Sequence, residues 1–268
     1  MFANARMYSI NATVTALWRE LLAWVVARAG APIEVIDYPA PQPLPVLWQR
    51  PDMACALMCG YPWVTWSGAG QPVPLAAPLP SNARYEGRAV YCTDLVARAD
   101  SRLQRVDDLL GKRLAWTVLD SQSGYQALRG FFAPYAHGGR AFSATVGPLV
   151  TPRGVIEALL AGEADAGPLD SYWHDLLRRH EPGLASQMRV IASTAMTPMP
   201  LFVAAAGVPK STCARLTAAL LAVATAPALQ QLREQLLIDG FTRVDSAAYD
   251  VLVQQAARAD ALNYFQLQ

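Results

Sequence analysis

The sequence predicts an α/β protein folded as two lobes, each a mixed and mostly parallel sheet flanked by helices. Three observations lead there. Short apolar strand runs alternate with helix openings through the middle third, the pattern of a small parallel α/β domain. Hydrophobic residues make up 53% and charged residues only 16% of the chain, enough apolar surface for large packed cores and too little charge for a disordered chain. The length of 268 residues, at about 150 residues per domain, leaves room for two bodies. The alternating middle reads as an insertion: residues 1–92 and 192–268 make the first lobe, and residues 93–191 the second.

The elements follow in order. From Thr13 to Ala29, apolar residues at Val14, Leu17, Trp18, Leu21, Leu22 and Val25 recur with helical spacing, and Arg28, Gly30 and Pro32 stop the helix. Ile33 to Tyr38 reads as a short strand, and the prolines at 39, 41, 43 and 45 exclude regular structure until Leu47. Met53 to Cys59 is an unbroken apolar run, a buried parallel strand that ends in Gly60-Tyr61-Pro62. Strands are expected at Gly87 to Arg98 and Leu114 to Val118, with a helical turn at Val106 to Leu110 between them. Asp120-Ser-Gln-Ser-Gly124 opens a helix from Tyr125 to Phe132. Thr151-Pro152 opens another that Gly162 closes, Ala166 to Leu169 is a buried strand, and Ser171 opens a helix to Arg179. Strand-like Arg189 to Ser193 and Pro200 to Ala205 precede three helices over residues 211–226, 227–238 and 246–262.

Composition excludes several functions. The formal net charge of +1 provides no general field toward nucleic acid or anionic lipid, so neither is an expected partner and a bound anion must be held locally. The longest apolar run, Leu216 to Leu229, is shorter than the roughly 20 residues a membrane span needs and contains Pro227. No basic segment followed by an unbroken apolar run opens the chain, so no secretory signal is visible. The 4 cysteines are too scattered for a disulfide scaffold; Cys55 and Cys59, inside the apolar run, read as buried thiols. His137, His174 and His180 have no metal-ligand spacing, and no metal or cofactor is expected.

The chemistry concentrates at Asp120-Ser121-Gln122-Ser123-Gly124-Tyr125. A helix start leaves backbone N–H groups unpaired and carries partial positive charge, and small hydroxyl residues with a glycine let an oxyanion approach. Ser121 and Ser123, with the Gly124 and Tyr125 amides, are the candidate grip; the alternative is that a serine there merely caps the helix. Asp170, at the end of the neighbouring strand, would accept a bond only from a protonated oxygen and so favour hydrogen-phosphate or phosphonate over sulfate. Tyr8 and Tyr61 are candidate phenols from the first lobe, with core packing as the alternative.

The ordered set Cys59-Gly60-Tyr61-Pro62, Ser121-Gln-Ser-Gly-Tyr125 with Ala127-Leu-Arg129, Gly162 to Asp170, and Thr197-Pro-Met-Pro-Leu201 resembles the phosphate/phosphite/phosphonate family of ABC-transporter substrate-binding proteins over nearly the whole chain. The resemblance implies the type II periplasmic-binding-protein fold, a ligand held in an interlobe cleft, hinge closure, an ABC permease as partner and periplasmic residence. A small-molecule anion is the expected ligand and a monomer the expected state. Carried over by position, Tyr8 and Tyr61 match the family's ligand tyrosines, Ser121 and Ser123 its oxyanion hydroxyls, and Asp170 its acidic ligand residue. One departure stands out. Where family members commonly have a Ser-His pair opening a helix, this chain has Thr151-Pro152; Thr151 keeps a hydroxyl, Arg153 offers charge, and the histidine contact is missing.

Three other readings are weighed against this one. Ser121, Asp170 and His174 as a catalytic set lack a G-x-S-x-G elbow, and His174 is expected on a helix surface, so no enzyme is expected. A sensor of the same fold, cytoplasmic or tethered, is left open by the absent signal. A receptor for an organic carboxylate or aromatic compound would line its pocket with Trp63, Trp66 and Trp173.

Overall fold

In the computed structural model, residues 1–136 and 138–268 are described; His137, counted above among the histidines without ligand spacing, lies outside the described residues. The chain forms two compact units, residues 1–90 with 198–248 and residues 91–197 with 249–268.

The first unit is built on a six-stranded sheet. Its core strand Met53–Met58 is buried at every position. It lies parallel to Phe2–Asn4 on one side and antiparallel to Leu201–Ala204 on the other. The sheet is mixed, as expected, but with antiparallel pairs outnumbering parallel ones: the chain re-enters this unit at Pro198 and runs through Leu201–Ala204 in the opposite direction. The helix Ala12–Ala29 covers the sheet. Asn11 caps its start by accepting from the Val14 N–H, and Gly30, at φ 58°, ends it in the left-handed conformation that glycine adopts without a Cβ penalty. Trp18 on its buried face sits 6.2 Å from the Phe202 ring of the sheet.

One local expectation fails here, and one strand is unforeseen, both at prolines. A short helix spans Leu44–Trp48 inside the proline stretch, since Pro43 precedes it and Pro45 occupies its first turn, where the missing N–H costs nothing. The strand Val73–Pro80 has no counterpart in the sequence reading. Its pairings with Leu201–Ala204 and Ile238–Thr242 shift register beside Pro74 and Pro80, which is how a sheet accommodates residues that cannot donate. The strand expected from Ile33 to Tyr38 is limited to Glu34–Val35.

The second unit carries a five-stranded sheet in the order Met188–Ser193, Thr93–Arg98, Ala166–Asp170, Arg113–Ala115, Ala144–Val146. The last three run parallel, whereas the first two make antiparallel pairs. This sheet too is mixed, not the parallel one that strand–helix alternation suggests.

The C-terminal stretch is the larger correction. Residues 192–268 are expected in the first lobe, yet residues 249–268 belong to the second unit. Ala259, Tyr264 and Leu267 are buried in the same cluster as Leu128, Phe132 and Phe142. The helix Asp250–Ala261 has a small-residue face that suits docking on the helix Ala127–Phe132, a partner that periodicity alone does not name. Among the described residues no single helix is long and apolar enough to cross a membrane.

Candidate functional site

The three parallel strands of the second unit deliver three helix starts at one edge of its sheet. Arg113–Ala115 leads to a helical turn opening at Gln122, Ala144–Val146 to the helix Pro152–Leu160, and Ala166–Asp170 to the helix Ser171–His180. In open α/β sheets the carboxyl ends of the strands are where ligands sit, and each helix start carries partial positive charge there.

Three of the residues singled out from sequence, Ser121, Thr151 and Asp170, are the caps of these helices. Ser121 Oγ accepts from Gly124 N at 2.9 Å, Thr151 Oγ1 from Gly154 N at 3.1 Å, and one Asp170 carboxylate oxygen from Tyr172 N at 2.9 Å and Trp173 N at 3.0 Å. Short hydroxyl and carboxylate side chains reach their own backbone two or three residues ahead, which is why these types open helices. Capping and an oxyanion grip use the same groups, so the geometry is compatible with both.

Hydrogen bonds tie the three starts together. Thr93 Oγ1 donates to the Ser123 carbonyl at 2.9 Å, and Thr93 is paired in register with Asp170. Thr117 N donates to the Gly124 carbonyl, and Val150 N to the Thr117 carbonyl, each at 3.2 Å. Gly124 is pressed against this frame: a Cβ there would lie 1.8 Å from Thr117 Oγ1. Val150, beside Thr151, has φ 65°, a left-handed conformation that β-branched residues rarely adopt and that tends to mark functional positions.

The turn itself is π-helical. From Gln122 to Gln126 it closes through Gln126 N donating to Ser121 O at 3.0 Å, a wide turn of the kind that recurs at functional sites. Burial raises the carboxyl of Asp120, just before it, above the ordinary aspartate value, and a bond to its own backbone opposes the shift. The phenol of Tyr125 faces the unit's interior, edge-on to Trp116 with ring centroids 5.2 Å apart, and its oxygen accepts from Leu267 N. Only the Tyr125 backbone is placed to serve the turn.

The remaining candidates lie elsewhere. Tyr8 and Tyr61 belong to the first unit. Tyr8 is buried and stacks on Trp18, and Tyr61 is half-buried in a one-turn helix, Gly60–Val64. Arg153 pairs with Glu181 at 2.6 Å. Trp63 and Trp173 are core residues, 4% and 3% exposed.

His174 is not on a helix surface. It is 1% exposed, and its Nδ1 lies 2.8 Å from Asp94 Oδ2. Ser193 donates to the other Asp94 oxygen at 2.8 Å. The helix is buried through its first two turns, so i+4 from Asp170 points inward, and the partner of His174 is Asp94 rather than Asp170. Thr93 and Thr117 carried no sequence signal; Thr93 opens an apolar strand and Thr117 follows one, and neither is marked until its tertiary partners are known.

Two mixed sheets, one inserted in the chain of the other, with strand-end helix starts furnishing a polar edge, define the solute-binding class with the type II periplasmic-binding-protein fold. Solved structures of that fold are similar to this chain. A binding-protein component of an ABC phosphonate transporter from Pseudomonas aeruginosa superposes with TM-score 0.80 at 16% identity, over 98% of this chain and 87% of that one. PhnD1 from Prochlorococcus marinus, in complex with methylphosphonate, gives 0.78 at 14%, over 98% of each chain. XAC2383 from Xanthomonas citri, bound to ATP, gives 0.68 at 18%, again over 98% of each. No curated protein matches by sequence. The family model of the periplasmic substrate-binding proteins of ABC phosphonate transporters matches residues 10–249, and the chain belongs to that family.

Proposed function

We propose that this protein is the solute receptor of an ABC transporter, residing in the periplasm as a monomer and delivering a small tetrahedral oxyanion of the phosphonate class to a permease. Family membership supplies the transport role. The observation that carries the ligand class is the Ser121–Tyr125 turn, a Ser121-capped helix start with a glycine packed without room for a Cβ, tied to the strand and loop that precede the starts at Asp170 and Thr151; the hydroxyls of Ser121 and Ser123 and the turn amides are the donors proposed for the anion. Such donors suit a compact anion with several equivalent oxygens and need no net charge on the protein. Asp170 adds an acceptor for a protonated ligand oxygen, which sulfate lacks at neutral pH. The resemblance also assigns ligand contacts to Tyr8 and Tyr61. Binding without turnover is expected, and closure of the protein around its ligand is the signal the permease reads.

Isothermal calorimetry with methylphosphonate, 2-aminoethylphosphonate, phosphite, phosphate and sulfate tests this reading. Saturable heat with at least one phosphorus oxyanion and none with sulfate is the expected result. Equal heat with sulfate would remove the role given to Asp170, and no heat with any anion would overturn the assignment.

A further inference from the structure

Ala127-Leu-Arg129 continues the oxyanion motif, yet Arg129 takes no part in the site described above. It is buried, with its side chain 6% exposed, and all its bonds run to the turn or to the C-terminal stretch. Arg129 Nε donates to Gln126 Oε1 at 3.1 Å, and Gln126 Nε2 donates to the Leu119 carbonyl at 2.8 Å, so this pair spans the π-helical turn from its entry to its last residue. The other guanidinium nitrogens donate to the carbonyls of Ala256, Tyr264 and Phe265 at 3.2, 3.3 and 3.3 Å, and Arg129 pairs with Asp260. Ala256 and Asp260 belong to the helix Asp250–Ala261, and Tyr264 and Phe265 to the stretch that follows it.

Two further bonds join the same partners. Gln122 Nε2 donates to Gln255 Oε1 at 3.1 Å, and Leu267 N donates to the Tyr125 oxygen at 3.2 Å. The last residue is itself fastened, its carbonyl accepting from Ala141 and Phe142. The π-helical turn opens the helix Ala127–Phe132; two of its five residues, Gln122 and Tyr125, are held directly by the C-terminal stretch, and Gln126 is held through Arg129.

We propose that residues 249–268 are a strap that sets the conformation of the oxyanion turn, with Arg129 as the positioning residue that anchors the strap. The proposal rests on the ligand reading above for its functional consequence, not for its mechanics. A planar fork with five donors meets three carbonyls, a carboxylate and a glutamine; a lysine ammonium at the same place has three donors and no fixed plane. Slackening the strap frees the turn to relax toward an α-helical start, and the amides no longer converge.

The test compares the full chain with Arg129→Met, Arg129→Lys and Tyr125→Phe, the last removing a single hydrogen bond so that a folded variant is available. Hydrogen–deuterium exchange and methylphosphonate calorimetry are read on each. Exchange at residues 122–126 is expected to accelerate at least tenfold in Arg129→Met and severalfold in Tyr125→Phe, while the helix Pro152–Leu160 exchanges as before. Methylphosphonate affinity is expected to fall about tenfold or more in Arg129→Met, with part of it retained in Arg129→Lys. A folded Arg129→Met or Tyr125→Phe protein whose turn exchanges as in the parent chain overturns the strap. So does unchanged affinity where the parent chain binds. If the parent chain binds no oxyanion and the turn still loosens in the variants, the ligand reading fails and the strap stands.

Discussion

At Asp120 the surroundings work against the charge. The side chain precedes the turn, and burial holds its carboxyl above the ordinary aspartate value. A carboxyl whose folded-state value is raised binds more protons folded than unfolded. Its contribution is therefore most favourable at acid pH and is lost as the pH climbs through the raised value. Asp120→Asn keeps the size and removes the titration. Denaturant melts should show the variant gaining on the parent protein as the pH rises from about 4 to 7, and calorimetry should show tighter binding of a dianion at pH 7, where a like charge near the turn has been removed. At Gly124 the constraint is steric. A methyl group there meets Thr117 Oγ1 and Ser121 Oγ, at 1.8 and 2.9 Å. Overpacking of this kind costs roughly 1–3 kcal/mol, so Gly124→Ala should melt several degrees lower and lose methylphosphonate heat even where it remains folded.

At the scale of the element, three helix starts share one sheet edge, and the cap of the helix Ser171–His180 separates two roles that the sequence presents as one. Asp170 accepts two backbone N–H bonds, a capping duty that asparagine performs about as well and alanine loses at roughly 0.5–2 kcal/mol. Asp170→Asn should therefore melt near the parent protein while its preference for phosphonate over sulfate collapses; Asp170→Ala should lose both stability and preference. Thermal melts paired with competitive calorimetry check this, and an Asn variant that keeps its preference would leave Asp170 as a cap alone. Elements with local signals were legible in the sequence: Gly30 ends the first helix, and Thr151-Pro152 opens the helix Pro152–Leu160. Those fixed by partners were not. Val73–Pro80 is a strand despite three prolines because register shifts in its neighbours absorb them, and no local pattern distinguishes it from a loop. The serines of the turn were legible because hydroxyls before a helix are a local sign, whereas Thr93 and Thr117 join them only through tertiary hydrogen bonds.

For the molecule as a whole, the chain passes between its two units near residues 90, 197 and 248. The third passage depends on where Tyr264 and Leu267 find a core, which no periodicity encodes. This division makes the thiols reporters of where an anion binds. Cys55, Cys59 and Cys213 lie in the first unit and Cys92 in the second, all as buried thiols. Burial also pushes the Cys55 and Cys213 thiols upward, so little reactive thiolate forms in the folded state. Modification by a water-soluble disulfide reagent must then wait for each unit to open. A ligand that binds only the closed form reduces opening by the factor 1 + [L]/Kd, about a hundredfold at one hundred times Kd. With the oxyanion turn in the second unit, methylphosphonate at that excess should slow Cys92 labelling by about that factor, read site by site by mass spectrometry under mild denaturant. Slowing at Cys55 with none at Cys92 would move the anion grip to the first unit and away from the three helix starts.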